Sequence, residues 1–190
     1  MKTNNLTKDE IIERIIPFSL SLVVIILDQL TKWIIVKYIP PYTLIPNLCF
    51  GGDLIRIIHV RNLGVAFSMG GTWPLFLRKA IFSVIPLLVI GYIVYICICG
   101  DKNNSSFNTC DFTKLQRWCI AAIVGGGIGN LIDRIFRPNG VVDFVDVKFF
   151  GIFGLERWPT FNFADAMIVV FGIILIISFI VMLSKNETKK

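Results

Sequence analysis

Apolar residues in this chain gather into four long runs, about 15–36, 81–99, 115–135 and 161–183, separated by more polar segments. Each run holds about 20 residues, and a rise of about 1.5 Å per residue lets each cross the hydrocarbon of a bilayer as a helix. The pattern predicts an α-helical membrane protein with four transmembrane helices in a single integral membrane domain over residues 1–190. Four crossings put both termini on one side. Within the runs the polar residues occupy a narrow band. Asp28 and Lys32 lie in the second half of the first run, Asn130, Asp133 and Arg134 close the third, and Asn162 and Asp165 open the fourth. Alternate threading brings all seven to the face opposite the termini. Ionisable groups in a bilayer are costly, so such convergence marks a functional site by default. The second run has no ionisable residue between Lys79 and Asp101 and reads as scaffold.

The segments between runs add two elements. Residues 37–78 are far longer than a minimal connection and read as a small outer-face β-sheet. Pro40, Pro41 and Pro46 punctuate its start, Gly51-Gly52-Asp53 signals a turn, and Leu54–Val60 is β-rich. Arg61–Ser68 mixes small and polar residues around Gly64, either as a packed hairpin or as backbone brought close to the membrane face. The loop 137–159 has a Val-rich, strand-like start and an aromatic second half, Phe149–Gly154. That half is expected at the lipid interface, with Gly151 and Gly154 as hinges. The polar loop Gly100–Thr113 reads as solvated.

A hydrophobic fraction of 55% and a mean hydropathy of +0.72 exclude an ordinary soluble domain. The net charge of +6 comes mostly from Lys and Arg flanking the apolar runs, where membrane phospholipid head groups account for it. No basic cluster interleaved with aromatics suggests nucleic acid. Lys2, Lys8, Arg14, Lys102, Lys114, Arg117, Lys185, Lys189 and Lys190 lie on the side of the termini. Lys37, Arg56, Arg61, Arg78, Lys79, Arg137, Lys148 and Arg157 lie opposite, so the charge bias leans toward cytoplasmic termini. Asp9, Glu10 and Glu13 precede the first run, which is too long for the core of a cleaved signal peptide and is expected to remain as an anchor. Five scattered cysteines support neither a disulfide framework nor a zinc site, and no metal or other cofactor is expected.

Asp28 and Lys32 are four residues apart and share a helical face, as a structural ion pair or as participants in chemistry. Asn130, Asp133 and Arg134 also share a face, behind Gly125-Gly126-Gly127 and Gly129, which permit close helix approach. Arg134 could pair with a carboxylate or donate to substrate carbonyls. Asp143, in the third inter-run loop, and Asp165, about one turn inside the fourth run, form the leading pair. Two close carboxyls in a low-dielectric site tend to share a proton, so one can deprotonate water while the other protonates the carbonyl under attack. The structural alternative has Asp143 capping a turn and Asp165 pairing with Arg134. Other chemistries are a Ser-Lys hydrolase using Ser68 and Lys32, a triad through His59, the only histidine, and a proton-coupled carrier or scaffold.

Five ordered motifs carry a resemblance: Leu27-Asp28-Gln29-Leu30-Thr31-Lys32, Arg61–Ser68, Gly129-Asn130-Leu131-Ile132-Asp133-Arg134, Val141-Val142-Asp143-Phe144 and Phe161-Asn162-Phe163-Ala164-Asp165-Ala166. Together they resemble bacterial lipoprotein signal peptidase, signal peptidase II. The resemblance implies a four-span, multi-pass aspartic endopeptidase of the bacterial cytoplasmic membrane with an outer-face (periplasmic) loop and an outer-face active site; the chain is expected to act as a monomer with its termini cytoplasmic. Its substrates would be prolipoproteins, cut just before a diacylglyceryl-modified cysteine. It further implies that Asp143 and Asp165 are catalytic, that Asn62, Asn130, Arg134 and Asn162 hold substrate or order the site, and that Asp28, Lys32 and Asp133 are structural. Asp146 falls outside the matched position and is expected to be a surface or structural residue.

Overall fold

The computed structural model describes residues 7–64, 73–74, 76–77, 80–99 and 112–187. Most of the Gly100–Thr113 loop and Val65–Ser68 of the second motif lie outside these residues.

A short helix precedes the first apolar run. Thr7 and Glu10 form a reciprocal capping box that starts α1 (Lys8–Ile15). Pro17, which has no N–H to donate, separates it from α2 (Phe18–Tyr38). The second run enters through a π-helical turn, Ala80–Val84, and continues as α3 (Ile85–Cys99). Pro86 follows that turn and leaves the carbonyl of Phe82 without its usual i+4 donor. Another capping box, Thr113 with Gln116, starts α4 (Lys114–Phe136), and the last helix is α5 (Phe163–Glu187). Among the described residues, three helical stretches are long and apolar enough to cross a membrane: Ala80–Ile98, Lys114–Phe136 and Phe163–Lys185. The 21-residue α2 packs beside them with Asp28 and Lys32 on its buried side.

The central helix is α4, buried along Cys119–Ala122, Val124–Gly126 and Gly129–Leu131. Its glycines set the spacing. A Cβ on Gly129 would lie 2.6 Å from Asp28 Oδ2, so only glycine lets α2 bring its carboxylate this close.

The β-rich segment after α2 yields β1 (Cys49–Phe50) and β2 (Ile55–Asn62), joined through Gly51, Gly52 and Asp53, all with positive φ. The sheet extends beyond residues 37–78. The Val-rich start of the next inter-helix segment is a full strand, β3 (Val141–Ile152), followed by β4 (Leu155–Arg157) in an antiparallel order β1-β2-β3-β4. Asp143 and Asp146 are therefore strand residues, because the branched residues around them pair with β2: Val60 opposite Asp143, and Arg56 opposite Asp146. Gly140 permits the entry into β3. Its φ is +87°, and a Cβ there would lie only 2.3 Å from the Asn62 carbonyl oxygen. Val142 and Phe144 pack on Ile35 and Ile39, fixing the sheet to the end of α2. Gly151 falls in the irregular end of β3 and Gly154 in the turn to β4, at φ +76° and +78°, where left-handed backbone accounts for glycine.

Candidate active site

The site grows from a local signal in the sequence. Asn162 accepts the backbone N–H of Asp165 at 3.0 Å, and Asp165 Oδ2 accepts that of Asn162 at 3.2 Å. This reciprocal cap starts α5 and explains the spacing of three between the two residues. It also leaves the Asn162 amide nitrogen free to reach across to the sheet. There it donates to Asp143 Oδ1 at 2.7 Å and to Asn130 Oδ1 at 3.0 Å. Asn130 in turn donates to Asp165 Oδ1 at 2.7 Å, and Asn62 donates to Asp143 Oδ2 at 3.1 Å. Three asparagines from β2, α4 and the start of α5 thus hold the two carboxyls from their flanks.

Both carboxyls line one cleft of about 350 Å³, with Asn62, Asn130 and Arg134, under a wall formed by Trp158–Phe161 and beside Ile168 and Val169 of α5. Asp143 is only 3% exposed, whereas Asp165 is partly open. Burial pushes the Asp143 carboxyl up to about 7, the charge of Asp165 adds to the rise, and the Asn62 and Asn162 hydrogen bonds oppose it. The arrangement pairs a carboxyl that holds its proton near neutrality with a second, more accessible one.

Arg134 reaches the same cleft from α4. Its long hydrogen bonds, each 3.5 Å, go to the carbonyls of Phe82 and Gly64 rather than to Asp165. The Phe82 carbonyl is the one that Pro86 leaves without its helical donor. Behind the cleft, Lys32, Asp28 and Asp133 are fully buried; Lys32 Nζ lies 2.8 Å from Asp28 Oδ2 and 3.2 Å from Asp133 Oδ2.

With this geometry in view, the comparisons become specific. A sequence profile described as Signal peptidase (SPase) II matches residues 20–181. The chain belongs to the signal peptidase II family. It is 48% identical to the lipoprotein signal peptidase of Treponema pallidum (strain Nichols) over 168 residues, 88% of this chain and 84% of that protein. It is 42% identical to that of Borrelia turicatae (strain 91E135) over 97% of this chain and 98% of the relative. The fold agrees with a solved bacterial membrane enzyme at a TM-score of 0.63 and 28% identity, covering 92% of this chain and 91% of that one. This signal peptidase II is accordingly a hydrolase, a protease, and a bacterial membrane protein.

The structure brings together all the motif residues that the sequence singled out and the described residues include. Ser68 lies outside those residues. Sequence reading missed three features. The part of the cleft wall formed by Trp158, Pro159 and Thr160 carried no motif. Gln29, beside Asp28 in the first motif, donates to Asp28, to the Gly129 carbonyl and to Asp133. Of the two places expected for Asp146, surface or structural, it takes the structural one, with partners the sequence did not indicate: it is 3% exposed, and its oxygens accept from Arg56 Nε at 2.8 Å and Arg157 Nε at 2.7 Å. Strand pairing creates that contact with Arg56, ninety positions away. His59 is packed, its Nδ1 2.7 Å from the Ile39 carbonyl oxygen.

Proposed function

We propose that this signal peptidase II is an aspartic endopeptidase that cuts diacylglyceryl-modified prolipoproteins just before the lipidated cysteine, with Asp143 and Asp165 as its catalytic pair. The observation that carries the reading is the asparagine-linked pair of carboxyls in one cleft, one of them held protonated near neutrality by burial. In the ground state Asp165 is the base and Asp143 the acid. Asp165 takes a proton from a water, whose oxygen bonds to the scissile carbonyl carbon while Asp143 passes its proton to the carbonyl oxygen. The resulting diol collapses as Asp143 takes a proton back and Asp165 delivers its own to the departing nitrogen, breaking the C–N bond. Both residues end as they began.

Asn62, Asn130 and Asn162 order the carboxyls in this scheme, and Arg134 donates to substrate carbonyls. The chain works as a monomer, with α2 as a fourth span, cytoplasmic termini and the cleft at the outer face. A lipid-anchored precursor presents its scissile bond near head-group depth, the level at which the cleft residues gather. The Ser-Lys alternative has little support, since Lys32 is engaged with Asp28, Asp133 and Asn130. Cleavage of a diacylglyceryl precursor by purified wild type, Asp143→Asn and Asp165→Asn tests the proposal. Loss of cleavage in both variants supports it, and full cleavage by either ends it.

A further inference from the structure

Lys32 touches neither carboxyl of the proposed catalytic pair, yet each of its three contacts leads to one of them. Its Nζ lies 2.8 Å from Asp28 Oδ2, 3.2 Å from Asp133 Oδ2 and 2.8 Å from Asn130 Oδ1. The far side of each acceptor is committed. Asp28 Oδ1 accepts the backbone N–H of Ala164, the residue before Asp165, at 3.0 Å. Asp133 Oδ2 accepts the backbone N–H of Val142, the residue before Asp143, at 3.1 Å. Asn130 Nδ2 donates directly to Asp165 Oδ1 at 2.7 Å. Because an ammonium only donates, it also decides which end of the Asn130 amide faces Asp165.

We infer that Lys32 is a positioning residue: its buried ammonium couples the backbone beside Asp143 to the backbone beside Asp165 and so sets the separation of the two carboxyls. Gln29 Nε2 also contacts Asp28 and Asp133, at 3.1 and 3.2 Å, but Lys32 adds the contact to Asn130 and through it the link to Asp165. β3 is tied to α4 through Asp133, the first turn of α5 is tied to α2 through Asp28, and Lys32 closes the link between them. An ion pair kept only for stability would need no such continuation to both flanks. The inference rests on the proposed roles of Asp143 and Asp165, and its test is separable from them.

Removing Lys32 alone strands the buried Asp28 carboxylate, whereas Asp133 keeps Arg137 Nε at 2.9 Å, so the informative change is charge-balanced: Lys32→Met with Asp28→Asn, whose amide oxygen still accepts the Ala164 backbone N–H. In this background and in wild type, residues 143 and 165 are both replaced by cysteine. The rate at which a short bifunctional thiol reagent joins them is followed by mass spectrometry of the digested protein, which separates this link from native cysteines. The two backbone arms survive the cysteine replacements, so the readout needs no activity. With the hub removed, cross-linking slows about tenfold, and in the version retaining both aspartates kcat falls about a hundredfold with KM within about threefold, as misplacement of about 1 Å predicts. Asp133→Asn alone, which keeps the Asp28–Lys32 pair, serves as the second variant and slows the same link to a smaller degree. An unchanged cross-linking rate in either variant, with melting showing it folded, overturns the positioning role. Slowed cross-linking with undiminished cleavage supports the positioning role and overturns the catalytic assignment of Asp143 and Asp165 instead.

Discussion

Asp143→Asn is expected to abolish cleavage and, above neutral pH, to stabilise the fold. Burial raises the folded-state pKa of this carboxyl from 3.8 to about 7. The wild-type protein is therefore most favoured below pH 3.8, where the group is protonated folded or unfolded, and loses stability as pH rises through about 7. A rise of about three units at about 1.4 kcal/mol each makes that loss about 4 kcal/mol. Asparagine cannot ionise and escapes it. The substitution has its own cost, because Asn62 and Asn162 each aim an N–H at Asp143, and an amide offers them one oxygen and one NH2. One donor left facing a donor costs about 1–3 kcal/mol. The variant is therefore less stable than wild type near pH 4 and more stable above pH 7 by about 1–3 kcal/mol, a melting increase of roughly 2–10 °C for a chain of this length. Thermal unfolding of the detergent-solubilised proteins, followed by tryptophan fluorescence from pH 4 to 8, measures the difference. A gap between variant and wild type that stays constant across that range refutes the reasoning, because Asp143 would then not be held protonated by the fold.

Three further outcomes follow from the same geometry. Cleavage falls as pH rises through about 7, where Asp143 loses the proton it supplies to the carbonyl, and a pH profile of kcat/KM with a diacylglyceryl peptide reads this descending limb. Gly126→Ala places a methyl 2.6 Å from the Ala164 carbonyl oxygen, whereas Gly127→Ala meets only the flexible end of Ile90, so the former destabilises by about 1–3 kcal/mol and lowers activity while the latter stays within about 1 kcal/mol of wild type in melting. Asp146→Asn withdraws the carboxylate that Arg56 and Arg157 share; both arginines are about one-fifth exposed, so water offsets part of the loss and melting reports about 1–3 kcal/mol of destabilisation.

What the sequence by itself determined are the features that depend on neighbours along one helix or one cap. The apolar runs, the level at which polar residues enter them, the Asp28–Lys32 pair at a spacing of four and the Asn162–Asp165 pair at a spacing of three all follow from the geometry of a single helical turn. The ordered motifs also named the polar residues that line the cleft, Asn62, Asn130, Arg134, Asp143 and Asp165. Only the tertiary structure decided how these residues meet. The pairing of β3 with β2 puts Asp143 beside Asn62 and Asp146 beside Arg56, and no periodicity carries information about a partner eighty or ninety positions away. Pro86 frees a carbonyl on one helix for Arg134 on another, and Gly129 brings α2 close enough for Asp28 to reach the first turn of α5. These contacts depend on long-range register and on the approach of packed backbones, which local spacing does not specify.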